Sequence, residues 1–381
     1  MRVDIRPELL RWACRRSGIA GDALAHRFPQ FQAWVSKEVR PTLKQVEQFA
    51  KATYTPIGFL FLPEPPVEQV PIPDFRTVAG KKVRQPSPDL LDTIYICQQR
   101  QEWYRDYARS WGETPRAFVG SARVASGIEA TARDIREKLG LDVQERVRIF
   151  TFVDALRLFM EQADAMGVLV MCSGVVAGNN RRRLDPDEFR GFAMSDDLAP
   201  LIFINGADTK GAQMFTLAHE LAHVWLGQSA VSNAQASEVS GNEVERWCNQ
   251  VAAELLVPIA LFRQDYREDE DLHVELNRLS RRFKVSTLVI LRRIRDLGGL
   301  SDEKFWSAYR AELERLSAVV KKDGGGDFYL TTAARVSKRF ARAVISSTLE
   351  GQTLHRDAFR MLGFSKLDTF RQLGRGLGVT V

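Results

Sequence analysis

The chain has 381 residues, which is more than one ordinary globular domain uses, so we expect two or three domains. Hydrophobic residues make up 45% and charged residues 27%, as in soluble proteins, and no apolar run approaches the roughly 18 residues of a membrane span. The net charge of +6 is uneven, with +5 in residues 1–51, +6 in residues 329–381 and −5 between them, which indicates nucleic-acid or acidic partners at the ends, or solvated helical faces.

Cysteine usage and the first residues predict a cytoplasmic protein. The four cysteines are Cys14, Cys97, Cys172 and Cys248. They lie far apart and form no CxxC pair, which argues against a disulfide framework or a thiol–metal cluster and fits a reducing cytoplasm. The N-terminal stretch MRVDIRPELLRWACRRSG is charged and amphipathic and lacks the apolar centre of a signal peptide.

Residues 1–66 are predicted to form a module of short helices. The spacing of apolar residues predicts helices over residues 8–17, 22–28, 31–35 and 41–54. The segment TPIGFLFLPEPP closes the module, and a proline-rich connector runs from Pro63 to Pro73.

Residues 67–262 are predicted to form the central domain. Residues 88–165 have mostly helical patterns, whereas the runs VLVMCSGVV and PLIFING are β-rich and predict a small, mainly antiparallel sheet over Val168–Asn205. Helices resume from Lys210. This mixture is typical of a predominantly helical α+β fold and not of a doubly wound α/β fold.

The stretch FTLAHELAHVWLG, Phe215–Gly227, is apolar nearly all round a helical wheel yet carries His219, Glu220 and His223. Such a helix belongs in a core, where ionisable groups cost free energy unless a partner satisfies them. Residues four apart share a helix face at about 6 Å along the axis, so both histidines can bind one cation. H-E-x-x-H therefore indicates two zinc ligands, with Glu220 as the base that takes a proton from the water that zinc acidifies.

A catalytic zinc needs a third protein ligand, and the best candidate is Glu245 in NEVERWCNQVAAELLVP. Glu245 starts a stripe that continues through Asn249, Ala252, Ala253 and Leu256. A helix that packs this stripe against the first helix would bring Glu245 toward the histidines. Glu238, Glu243 and Glu254 compete for the role. The alternative is that both histidines are ordinary core residues and that Glu220 caps or pairs.

The stretches QMFTLAHELAHVWLG and ERWCNQVAAELLVP resemble the ImmA/IrrE family of zinc metallopeptidases. The metal-binding glutamate of that family falls on Glu245, its asparagine on Asn249 and its closing proline on Pro258. Cys248, Val251 and Val257 stand where the family has Ala, Phe and Met, and none is an expected ligand. The resemblance covers roughly residues 165–300. It implies a short sheet packed on gluzincin-like helices, Zn²⁺ as cofactor, and a helix-turn-helix repressor as the protein that is cleaved or disabled.

The stretch AWVSKEVRPTLKQVEQFAKAT resembles the end of an XRE-type helix-turn-helix module. The resemblance fails where such modules read DNA, because only Gln30 to Ala33 separate the second helix from Trp34. A recognition helix needs about two exposed turns. Four basic residues can still contact DNA phosphates: Arg27, Lys37, Arg40 and Lys44. The alternative is a docking module for a protein.

Two helical modules are predicted after the central domain. Residues 263–322 form a helix-turn-helix-like unit with its junction at Val285-Ser286, and residues 328–381 form a basic C-terminal module. One side of a helix in the last module carries Arg335, Lys338, Arg339 and Arg342. These cations indicate either nucleic-acid contact or a solvated helix face.

The metal-ligand pattern and the family resemblance together lead to two hypotheses about function, in which the repressor, toxin and antitoxin settings are what the resemblance implies. The first is a zinc-dependent endopeptidase that cuts a protein partner, a repressor or a toxin, in a regulatory, stress or toxin–antitoxin setting, with the sheet edge binding substrate as an added strand. The alternative is a non-proteolytic, antitoxin-like regulator that binds DNA or a toxin and keeps a structural or vestigial metal site.

Overall fold

The computed structural model describes residues 1–19, 21–75, 85–232, 242–318 and 334–380. These residues are predominantly helical and include one small mixed sheet, so the predicted α+β class is confirmed. Contacts divide the chain into two compact units, Met1–Pro71 with Arg84–Ile94, and Ile72–Val83 with Tyr95–Val381. The finer division into four domains stays a prediction.

The N-terminal unit is built from short helices around an aromatic core. Its helices are α1 Pro7–Ser17, α2 Gly21–Arg27, α3 Phe31–Val35 and α4 Leu43–Ala52, followed by a 3₁₀ turn at Ile57–Phe61. Thr42 is the N-cap of α4, because Thr42 and Gln45 form a reciprocal capping box. Phe49 packs edge-on against Phe28 and Trp34, with ring centroids 5.6 and 6.4 Å away.

The larger unit holds the remaining helices. Before the first strand come α5 Pro88–Ser110, whose residues up to Ile94 belong to the N-terminal unit, α6 Ile128–Leu139, α7 Val143–Val147 and α8 Phe152–Met166. The helices of the central region are α9 Lys210–Leu226, α10 Glu243–Leu256, α11 Ile259–Asp265, α12 Leu272–Phe283, α13 Thr287–Asp296 and α14 Asp302–Ala318. The C-terminal helices are α15 Lys338–Leu349, α16 His355–Leu362 and α17 Leu367–Gly376. None of the described helices combines the length and apolar character that crossing a bilayer requires.

The sheet has four short strands, β1 Leu169–Ser173, β2 Gly191–Met194, β3 Leu201–Asn205 and β4 Ala230–Ser232. Their order is β1-β3-β2-β4, with β1 parallel to β3 and β2 antiparallel to both β3 and β4. Strand β4 is not among the strands that the sequence predicts. Three residues are too few to show the period of two that reveals a strand, and pairing with β2 imposes the extended conformation.

Helix α9 lies in the core of the larger unit, with contacts to α8, α10, β2 and β3. Trp225 stacks on Phe118 with ring centroids 4.8 Å apart, and its indole N–H donates to Asp134. The helix ends at Gly227, which has a φ of +67° that L side chains rarely adopt. Gly227 therefore sets the C-terminal end of the helix, and packing buries nearly all its faces.

The C-terminal end of α10 is held by arginines. Arg136 donates to the carbonyl of Glu254 at 2.7 Å, Arg146 donates to the carbonyl of Leu256, and Arg293 donates to the carbonyl of Val257 at 2.9 Å. These carbonyls have no partner within the helix and carry the negative end of its dipole. The guanidinium groups therefore satisfy the end of α10 and fix the helix in place.

Within the larger unit, basic residues that the sequence predicts on one helix face join the C-terminal helices to the preceding helices. Arg339 donates to Tyr104 and to Glu113, at 2.6 and 2.9 Å, and Lys338 pairs with Glu161 at 2.6 Å. Arg342 donates to the carbonyl of Leu377 at 3.2 Å. Because these cations have intramolecular partners, this face makes contacts within the unit, and nucleic-acid contact by the module stays a prediction.

Candidate metal centre

The buried helix α9 and the first turn of α10 bring His219, His223 and Glu245 together. The Nε2 atoms of the two histidines lie 3.1 Å apart. The carboxylate of Glu245 lies 3.0 Å from His223 Nε2 through Oε1 and 3.4 Å from His219 Nε2 through Oε2. One donor atom from each residue lies within 4.8 Å of the others. Two imidazoles and a carboxylate thus face one small volume.

The donor set fits a zinc ion. Asn249 places its amide oxygen 3.0 Å from His219 Nδ1, and an amide oxygen can only accept, so Nδ1 carries the hydrogen and a neutral His219 presents its Nε2 lone pair. The two Nε2 atoms face each other and a carboxylate. Such convergence of unprotonated nitrogen and oxygen donors is what zinc requires, and it is unfavourable without a shared cation or proton.

The charges of the three residues depend on burial and on one another. Burial would raise the pKa of Glu245, but the neighbouring imidazoles, His219 first, outweigh it and lower that pKa to about 2. Burial lowers the pKa of His223, whereas for His219 the effect of burial is outweighed by Glu245 and the pKa is raised. The centre therefore keeps an ionised carboxylate at neutral pH, which favours a bound cation.

Glu220 lies beside the two histidines and is fully buried. Its Oε1 accepts a hydrogen bond from the hydroxyl of Ser232 in β4, and its Oε2 has no hydrogen-bond partner among the described residues. Burial raises the pKa of this carboxyl to about 8, because the charged form loses its hydration. Ser232 thus holds one oxygen of this carboxyl group, and the other oxygen is available to exchange a proton.

Gly191 of β2 leaves the space that Glu220 occupies. A Cβ atom at this position would lie 3.2 Å from Glu220 Oε1, 2.9 Å from the carbonyl oxygen of Phe203 and 2.5 Å from Thr216 Cγ2. Gly191 is paired with Ser232 in the register of β2 and β4. Two neighbouring strands thus shape the surroundings of Glu220. Gly191 of β2 has no side chain to fill the space, and Ser232 of β4 supplies a hydroxyl group.

We expect Gly191→Ala to destabilise the larger unit by about 1–3 kcal/mol, because overpacking must displace α9 or the backbone of β3. Urea unfolding followed by circular dichroism measures this difference. Gly376→Ala in α17 is the control, since a Cβ there meets nothing within 4 Å. Equal urea midpoints for Gly191→Ala and Gly376→Ala would show that a side chain at Gly191 causes no overpacking.

The other glutamates that competed with Glu245 lie in different surroundings. Glu254 is buried and forms an ion pair with Arg293, and its carboxylate also accepts from the Ile259 amide at 3.2 Å. Glu243 is exposed on α10, and Glu238 lies outside the described residues. Among the described candidates, only Glu245 faces the histidines.

Three residues near the centre escaped the sequence-based predictions. Ser232 of β4 donates to Glu220, and Gly191 of β2 leaves room for it by having no Cβ atom. The ring centroid of Phe75 lies 6.3 Å from that of His223 at an interplanar angle of 28°. A serine, a glycine and a phenylalanine far apart in sequence carry no motif.

The four residues predicted to contact phosphate are all exposed on the N-terminal unit. They are Arg27, Lys37, Arg40 and Lys44. Helix α3 has five residues, and its Trp34 is only 3% exposed, so it offers less than two turns to a DNA groove. DNA contact by this unit therefore stays a prediction.

A predominantly helical α+β fold with a buried H-E-x-x-H helix facing a glutamate is the arrangement typical of metallopeptidases. In agreement, residues 163–295 match the IrrE N-terminal-like domain, a family of peptidases. The match covers about a third of the chain and includes His219, Glu220, His223 and Glu245. Residues 336–376 match a domain of unknown function, and no curated protein matches the chain.

Proposed function

We propose that the chain is a zinc-dependent endopeptidase of the ImmA/IrrE type, in which His219, His223 and Glu245 bind Zn²⁺ and Glu220 is the general base. The observation that carries this proposal is the convergence of two imidazole nitrogens and one carboxylate, with separations of 3.0 to 3.4 Å, beside a second buried carboxylate. The match of residues 163–295 to a peptidase family supports it.

His219, His223 and Glu245 would hold the zinc ion, which would supply a Lewis acid for a peptide carbonyl and for a water molecule. Asn249 fixes the tautomer of His219, and Glu245 balances the charge. Ser232 holds Glu220 by Oε1, so Oε2 is the atom that accepts a proton and passes it to the leaving amine. Because all these groups are buried, their electrostatic effects are stronger than at a solvated surface.

The first test is metal content. We expect about one zinc per purified chain, and we expect Glu245→Ala to weaken zinc binding by more than the roughly 10–100-fold that loss of an outer-shell partner costs. Competition with a chromophoric chelator measures the affinity, and elemental analysis measures the content. Glu243→Ala, two residues away and exposed, is the matched control. Wild-type affinity in Glu245→Ala would remove Glu245 from the ligand set.

The substrate in this proposal is a protein partner, such as a helix-turn-helix repressor or a toxin, in a regulatory setting within the cytoplasm. All four cysteines are free thiols, which supports a reducing compartment. The second candidate is an antitoxin-like regulator that binds DNA or a toxin without cleaving it. It is supported by the exposed cations Arg27, Lys37, Arg40 and Lys44. A DNA affinity that falls steeply with salt would favour it.

A further inference from the structure

The segment Pro73–Phe75 pairs with the outer edge of β4, inside the larger unit. The amide of Val231 donates to the carbonyl of Pro73 at 2.8 Å, and the amide of Phe75 donates to the carbonyl of Val231 at 2.9 Å. Asp74 is thereby bridged to Val231 in parallel orientation. The other edge of β4 is paired with β2, so this segment takes the outermost position among the described residues.

This edge borders the candidate metal centre on two sides. Ser232, the residue after Val231, donates to the carboxylate of Glu220. The ring of Phe75 stacks on the imidazole of His223 with a centroid distance of 6.3 Å. An extended chain at this edge therefore passes next to both the proposed base and a proposed ligand.

The segment pairs with β4 in the same way that an extended peptide pairs with an edge strand. Main-chain N–H and C=O groups give affinity, and the alternation of side chains gives selectivity. Two main-chain hydrogen bonds join the segment to β4, and both are made by Val231. Pro73 has no amide hydrogen to extend the ladder, and Phe75 is only half-buried. Another extended chain with an aromatic side chain can make the same contacts.

We propose that Pro73–Phe75 occupies the strand position of the substrate, so that the edge of β4 is an autoinhibited binding site for an extended polypeptide with an aromatic side chain. Such a chain displaces the segment, pairs with Val231 and places its ring against His223. Cleavage of the bound chain rests on the proposed function, whereas binding does not.

The test uses the full chain and two variants of the segment. Phe75→Pro removes both the ring and the amide donor, and Phe75→Ala removes the ring alone. Hydrogen exchange at the Val231 amide reports release of the segment, and we expect it to be about tenfold faster in Phe75→Pro, because local opening becomes easier. Phe61→Ala, which removes an exposed aromatic ring of the N-terminal unit, should leave this exchange unchanged.

A blocked synthetic peptide with the sequence VPIPDFRT, residues 70–77, is the binding probe. In zinc-free protein we expect it to bind Phe75→Pro about tenfold tighter than wild type, because the competing segment no longer occupies the edge. The same peptide with alanine for phenylalanine should bind about tenfold more weakly, through loss of the ring contact. Bound peptide should restore the protection of the Val231 amide.

The inference is overturned if the Val231 amide exchanges equally fast in wild type and in both Phe75 variants. It is also overturned if the probe binds wild type and Phe75→Pro equally, or binds without regard to its phenylalanine. These readouts need neither zinc nor hydrolysis. A chain that binds the probe as expected but holds no zinc would contradict the proposed function alone, and a zinc peptidase indifferent to Phe75 would contradict this inference alone.

Discussion

Glu220→Gln is expected to leave the zinc content of the chain unchanged and to lower kcat for cleavage of a protein substrate by about 10²–10⁴-fold, the usual contribution of a general base. The amide has nearly the shape of the carboxylate and can still accept from Ser232 through its oxygen. It cannot accept a proton at neutral pH. The change therefore removes the proposed chemistry and keeps the proposed metal ligands His219, His223 and Glu245.

Cleavage of casein carrying a self-quenched fluorophore measures the rate, and elemental analysis measures zinc in the same preparations. Glu243→Gln is the matched control, because this exposed glutamate of α10 makes the same chemical change outside the centre. Equal rates for the two variants would exclude Glu220 as the base. If Glu220→Gln supports full cellular function while hydrolysis is lost, the regulator is favoured over the peptidase.

Replacing both His219 and His223 with alanine is expected to reduce zinc from about one per chain to background. Only Glu245 would remain of the ligand set, and a single carboxylate does not bind zinc tightly in water. The stabilising effect of zinc should disappear as well. At a free zinc concentration of 100 times Kd, ligand binding stabilises the folded chain by about 2.7 kcal/mol, and the double variant should show none of this.

Thermal unfolding with and without added zinc measures this second effect. The control exchanges His273 and His355 for alanine, since both are exposed and lie outside the centre. Comparing each protein with and without zinc separates the metal effect from the cost of removing two buried rings. A double variant of His219 and His223 that gains the wild-type stabilisation from zinc would show that the metal binds elsewhere.

The helices of the centre were well predicted because their signals are local. Helix α9 begins at Lys210, where the sequence predicted that helices resume, and ends at Leu226 before Gly227. The junction predicted at Val285-Ser286 separates α12 from α13. In each case the helical period, a capping residue or a glycine specifies the structure within a few residues, whatever the rest of the chain does.

The choice among glutamates needed contacts between distant segments. Glu245 and Glu254 lie on the same helix, and both are buried. The sequence favoured Glu245 through its apolar stripe, but Glu254 is also buried, because it pairs with Arg293, 39 residues further on, and accepts from the Ile259 amide. The packing of α10 on α9, and its contacts with α13, decide whether a carboxylate of α10 can bind a cation or forms an ion pair with an arginine.

The sequence by itself determined that His219, Glu220 and His223 lie on one buried helix. A fixed rise and rotation per residue place the two histidines on the same face of it. Only the tertiary structure decided that Glu245 meets them, that Ser232 and Gly191 shape the surroundings of Glu220, and that Pro73–Phe75 lies along β4. Those contacts join segments far apart in the chain. They depend on sheet register and helix packing, which no short stretch of sequence specifies.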